Sequence, residues 1–128
     1  LVAPCTADAM ARFAQGQADD LLATLALARA CPMAVAPAMN RQMWLHPATQ
    51  RNRERLVADG VLVWGPAEGE QACGETGPGR MIEPEEIVAR LEAFFAPKWF
   101  SGHAVLVTDT ATTEMHALAR HDALPIYR

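Results

Sequence analysis

The chain has 128 residues, 51% of them hydrophobic and 20% charged, with a formal net charge of −4. That is enough chain for one domain with a core of its own. The acidic balance offers no basic surface for nucleic acid or an anionic membrane face, no run approaches the roughly 18 apolar residues of a spanning helix, and no signal peptide is visible.

LVAP (1–4) reads as the remnant of a strand that Pro4 ends. With no methionine before it, the chain is expected to be a fragment whose sheet is truncated at its N-terminus. Thr6 or Asp8 can cap a helix over ADAMARFAQ (7–15), and Gly16 stops it. A second helix is predicted over 18–30, opened by Asp19 and Asp20, with Leu21, Leu22, Leu25 and Ala28 on its apolar face. MAVAP (33–37) is a short strand. AMNRQMW (38–44) turns into a helix, and Pro47 opens another, with Leu56 and Val57 facing inward and Gly60 at its end. VLVW (61–64) is an apolar, β-branched strand. Residues 65–83 read as a glycine-rich loop. A helix over 83–96 starts with acids and carries Ile87, Leu91, Phe94 and Phe95 on one side. AVLVT (104–108) is a further strand beyond a linker from Pro97 to Gly102.

Short, apolar, non-alternating strands separated by helices predict an α/β parallel sheet with helices on its faces. Ligands in such sheets bind at the carboxyl ends of the strands. Three motifs fall there: APCTAD (3–8), APAMN (36–40) and ACGETGPGRM (72–81). The first offers the Thr6 hydroxyl, the Asp8 carboxylate and the amides of a helix start, which suit a phosphate or a polar ring as well as simple capping. In the second, Asn40 both donates and accepts, so it can hold a carboxylate or cap the next helix, and local features leave both open. Met39, Met43 and Trp44 are core or pocket wall. In the third, Cys73 sits among glycines in a polar loop. Arg80 and backbone amides there can lower a thiol pKa or place its proton, and a long glycine loop can close over a ligand.

The other cysteines are read as structural, Cys31 at a helix end. With three widely spaced cysteines and no CxxC pair, neither a disulfide framework nor a zinc site is expected, and a reducing cytoplasm is the natural setting. His46 is placed to cap the helix that Pro47 opens. His46, His103, His116 and His121 form no i, i+4 pair, and no metal is expected.

From Leu1 to about Pro97 the three motifs, in this order and spacing, resemble the homo-oligomeric flavin-containing cysteine decarboxylases. The stretches that carry the likeness are APCTADAMARFAQGQADDLLATLALA, APAMNRQMWLHPATQRN, GPAEGEQACGETGPGRM and EPEEIV. The likeness is greatest to the branch in which a ligase half follows the flavoprotein half in coenzyme A biosynthesis. It implies a flavodoxin-like (Rossmann-like) sheet, FMN as cofactor, assembly as a trimer or a multiple of trimers, and 4′-phosphopantothenoylcysteine as substrate. It further implies oxidation of the substrate thiol to a thioaldehyde, loss of carbon dioxide, and reduction of the enethiol to 4′-phosphopantetheine. By the same resemblance Asn40 grips the substrate carboxylate and Cys73 donates the proton. Met43, Ala72 and Arg80 line the substrate site, and Cys5, Thr6, Ala7 and Asp8 contact the flavin. A catalytic histidine and a first phosphate loop are expected upstream of Leu1.

Residues 1–97 are thus expected to belong to the flavoprotein domain. Residues 98–114 are read as a linker and the first strand of a ligase-like domain, where Asp109, Thr110 and Ala111 depart from the pattern, and 115–128 as an anomalous tail. A flavoprotein acting on peptidyl cysteine, or a regulatory subunit without catalysis, are the rival readings.

Overall fold

The computed structural model describes residues 1–70, 74 and 76–97, and the backbone of 106–108 and 115–117. The chain divides into two units, Leu1–Ile87 and Val88–Arg128, with the division inside a helix.

The first unit opens with β1 (Val2–Cys5), α1 (Ala7–Gln15), α2 (Leu21–Ala28) and β2 (Ala34–Pro37). It continues through α3 (Arg41–Leu45), α4 (Pro47–Ala58), β3 (Leu62–Val63), β4 (Ala67–Glu70) and β5 (Thr76–Arg80) into α5 (Pro84–Phe95). Strands β1, β2 and β3 form a parallel sheet in that order. The central strand β2 is buried along its whole length, which explains its uniformly small and apolar AVAP sequence.

Helix boundaries follow local chemistry. The Thr6 hydroxyl, and not Asp8, caps α1 by accepting from the Ala9 amide at 3.1 Å. Gly16 ends α1 at φ 68°, a left-handed conformation that glycine adopts without steric cost. Asp20 caps α2 through the Ala23 amide at 2.7 Å. His46 Nδ1 accepts from the Ala48 amide at 3.2 Å, so His46 caps α4 ahead of Pro47 as expected. Arg12 ties the two ends of the α1–α2 connection together, reaching Asp8 at 2.9 Å, Asp19 at 3.0 Å and Asp20 at 2.9 Å.

The core under the sheet joins Cys5, Met10, Ala14, Met33, Val35, Trp44, Leu56 and Val61. Several apolar residues expected to face it do not. Leu21, Leu22 and Leu25 on α2 are exposed, and Ala23 is the residue that helix buries. Val57 is exposed beside the buried Leu56, and Phe95 is 77% exposed.

Within the stretch predicted as one loop over 65–83, Ala67–Glu70 and Thr76–Arg80 instead pair as the two strands of a β-hairpin. β4 pairs antiparallel with β5, matching Gly69 to Gly77 and Glu70 to Thr76. Glycine is a poor strand former, so AEGE (67–70) and TGPGR (76–80) carry little strand signal, yet their backbones pair all the same.

In the second unit, Phe94 and Phe95 pack edge to face at the end of α5, with ring centroids 5.1 Å apart. The strand expected over 104–108 is present as β6 (Leu106–Thr108). It pairs antiparallel with β7 (Met115–Ala117) and forms a two-stranded sheet distinct from the parallel one. Asp109, Thr110, Ala111, His103 and His121 lie outside the described residues.

Candidate functional site

Because β1, β2 and β3 are parallel, their carboxyl ends lie together, and each passes into one of the three motifs. Two consecutive amides bind the motifs to one another. The Ala38 N–H, just past β2, donates to the Cys5 carbonyl at the end of β1, 2.9 Å away. The next amide, of Met39, donates to the Gly79 carbonyl of β5, also at 2.9 Å. APCTAD, APAMN and the GPGR part of the glycine motif are therefore hydrogen-bonded neighbours, although they stand far apart in the chain.

Asn40 follows directly. It is half-buried at the N-terminus of α3, and its Oδ1 accepts from the Gln42 amide at 2.7 Å and the Met43 amide at 3.4 Å. The capping role that sequence left open is thus filled. It fixes the side chain, which leaves the carboxamide oriented rather than swinging. Met43 is 48% exposed beside it, whereas Trp44 is buried in the core. Arg80 pairs with Glu83, and its stem lies near Gly69. Its charge is thereby shared with a carboxylate before any substrate arrives. Cys73 and Ala72 lie outside the described residues.

At the end of β1 the four flavin-site candidates separate. Thr6 and Asp8 are exposed and Ala7 is half-buried, so the start of α1 faces outward. Cys5 does not. Its side chain is fully buried in the core, and its Sγ points at the Thr6 carbonyl, 3.8 Å away. The role expected of it narrows to its backbone, for a physical reason: the small polarisable thiol is taken up by the hydrophobic core. Cys31 departs in the opposite sense, being exposed where a structural residue was expected.

Burial lifts the Cys5 thiol from 9.0 to about 11, because the thiolate is disfavoured away from water. The raised value means that the fold favours the neutral thiol. This contribution is complete below about pH 9 and is lost as pH climbs from 9 to 11. At pH 8 a maleimide should therefore label Cys31 rapidly and Cys5 only after denaturation, as read by peptide mass spectrometry. Rapid native labelling of Cys5 would contradict its placement.

A cavity of about 270 Å³ lies at the other end of the sheet, lined in part by Met33 and Val61, which precede β2 and β3. None of the candidate residues borders it. Among the described residues no group of three or more His, Cys, Asp or Glu side chains could hold a metal, and no helix is long and apolar enough to cross a membrane.

Residues 1–96 match the family model described as Flavoprotein. The chain is 57% identical over 114 residues to the coenzyme A biosynthesis bifunctional protein CoaBC of Vibrio cholerae, covering 89% of this chain and 29% of that protein. Among solved structures it is similar to a cysteine-to-serine mutant of PPC decarboxylase complexed with pantothenoylaminoethenethiol. The TM-score is 0.71 and the identity 35%, covering 73% of this chain and 52% of that one. It is also similar to the FMN binding protein AtHal3, with TM-score 0.65 and 36% identity, covering 73% of this chain and 51% of the other.

Proposed function

The chain belongs to the Flavoprotein family, and from that premise we propose that it forms the substrate-side part of an FMN-dependent decarboxylase acting on 4′-phosphopantothenoylcysteine. One observation carries this reading: the pair of amides that ties the end of β1, the turn before Asn40 and the glycine hairpin into a single surface. The chain spans less than a third of the CoaBC relative's length, so a ligase half and a cytoplasmic setting belong to this proposal too.

The residues present suit the cofactor. The first turn of α1 is outward-facing at the carboxyl end of a parallel sheet, and it offers amides that no residue within the helix can bond. The backbone at Thr6, Ala7 and Asp8 would hold the polar edge of FMN, with Asp8 kept in place by Arg12. When bound, FMN supplies the two-electron oxidation of the substrate thiol and the later return of those electrons.

The chain's own residues supply position and protons. Asn40, fixed by its capping bonds, directs its carboxamide to the substrate carboxylate and holds that group until carbon dioxide leaves. Met43, 48% exposed beside Asn40, gives the substrate an apolar wall to lie against. Cys73 donates the proton at carbon that must accompany the two electrons a bound FMN would return if the enethiol is to become the saturated thiol. Arg80, with Ala72, borders the substrate, its charge steadied by Glu83.

The same reading makes the protein a homo-oligomer, a trimer or a multiple of trimers. The exposed leucines of α2 are apolar surface that such an assembly can cover.

The chain is not expected to turn over without the histidine and phosphate loop expected upstream of Leu1; extended to include them, loaded with flavin and given 4′-phosphopantothenoylcysteine, it should release carbon dioxide and form 4′-phosphopantetheine. Bound FMN without carbon dioxide release would favour the regulatory reading. Release only from a peptide ending in cysteine would favour the peptidyl one.

A further inference from the structure

We propose that Arg41 is a positioning residue whose side-chain stem, laid across Gly77, latches the β4–β5 hairpin onto the turn that carries Asn40. A Cβ built on Gly77 would stand 2.6 Å from Arg41 Cδ, 3.0 Å from its Nε and 3.3 Å from its Cγ. Those distances are well inside van der Waals contact, so the stem occupies the space that any other residue at position 77 would need. The backbone there has φ +145°, which also favours glycine. Arg41 is exposed overall, as expected of an arginine that packs its carbons along a neighbour at the surface.

The latch has a second point. Gly79, two residues along β5 and buried, accepts from the Met39 amide. The hairpin is thus held from both sides of Asn40, by the amide before it and the stem after it. Gly77 also faces Gly69 across the ladder, and Gly69 has the Arg80 stem near it, 3.4 Å from its own would-be Cβ. The paired glycines leave the ribbon bare where arginine stems lie. Cys73 stands between β4 and β5 in sequence, so the strands fixed against α3 are the ones that flank it. Any consequence for catalysis rests on the decarboxylase reading; the latch itself does not.

The test is amide hydrogen exchange on the whole chain, read at Met39 and at Leu62, whose amide bonds the Met33 carbonyl within the parallel sheet. Arg41→Ala should speed exchange at Met39 about tenfold and leave Leu62 unchanged. Arg41→Lys keeps the carbons that cross Gly77 and should stay within about threefold of the parent. Gly77→Ala should speed Met39 exchange in the parent, and by a smaller factor in the Arg41→Ala background, since the clash is gone there and the backbone strain remains. The latch is overturned if Arg41→Ala leaves Met39 protected, if Leu62 loosens equally, or if the two substitutions multiply. Flavin titration of the same variants, made in a chain extended to the phosphate loop expected upstream of Leu1, separates the two ideas. Loosened Met39 exchange in an extended chain that binds no FMN sinks the decarboxylase reading and leaves the latch standing.

Discussion

Asn40→Asp is expected to leave the fold standing and remove most of the turnover. The Asn40 Oδ1 accepts from two amides of the first turn of α3, and an aspartate oxygen accepts them equally well. A negative charge is, if anything, welcome at that end of a helix, so stability should shift by no more than about 0.5 kcal/mol. Turnover loses on two counts. The amide N–H that would hold the substrate carboxylate is gone, and a like charge replaces it. At about 4 Å such a repulsion is worth about 1 kcal/mol in water and about 4 kcal/mol at a protein surface. Carbon dioxide release, as kcat/KM, should fall by about two orders of magnitude, while the urea midpoint holds. Asn40→Ala gives the contrast, since it loses the cap as well, at a cost of about 1 kcal/mol. Parent-like turnover in Asn40→Asp would remove Asn40 from the substrate site.

Cys73→Ser should divide the reaction in two. A serine hydroxyl keeps the size of the thiol but is a far weaker acid, so the step that needs a proton at carbon suffers and the earlier ones do not. Formation of the saturated thiol should drop by about 10²–10⁴-fold, the range for removing a positioned general acid. Oxidation and loss of carbon dioxide should continue in step with the bound flavin, and the enethiol should accumulate. Mass spectrometry distinguishes them, because the enethiol is lighter than the saturated product by two hydrogens. Equal yields of saturated product from the parent and the variant would take the proton-donor role away from Cys73.

Much of the parallel layer was legible because its elements are punctuated by residues with one local job. Thr6, Gly16, Asp20 and Pro47 mark ends that the structure keeps to within a few residues. Helical spacing found the stripe on α2 but not its surroundings: Leu21, Leu22 and Leu25 have the period of a buried face and no neighbour among the described residues that buries it. The hairpin escaped notice because its strands are built from glycine, glutamate and proline, whose side chains say nothing about backbone pairing. Cys5 and Cys31 show the same limit in miniature. Both are lone cysteines near element ends, and only the packing shows that the first is sealed in the core and the second faces water. The Arg41–Gly77 contact had one trace in the sequence, a glycine on each side of Pro78, but the arginine that needs the gap is 36 positions away and no local pattern links them.

Ala38 and Met39 give one hydrogen bond each, to opposite neighbours. A dipeptide shared in this way acts as an axle between two wheels. Whatever tightens the β1 side, where the cofactor would rest, is felt through a single peptide link by the ribbon on the other side. Loading of one partner and placement of the other should therefore be cooperative, with no message needing to travel through the core.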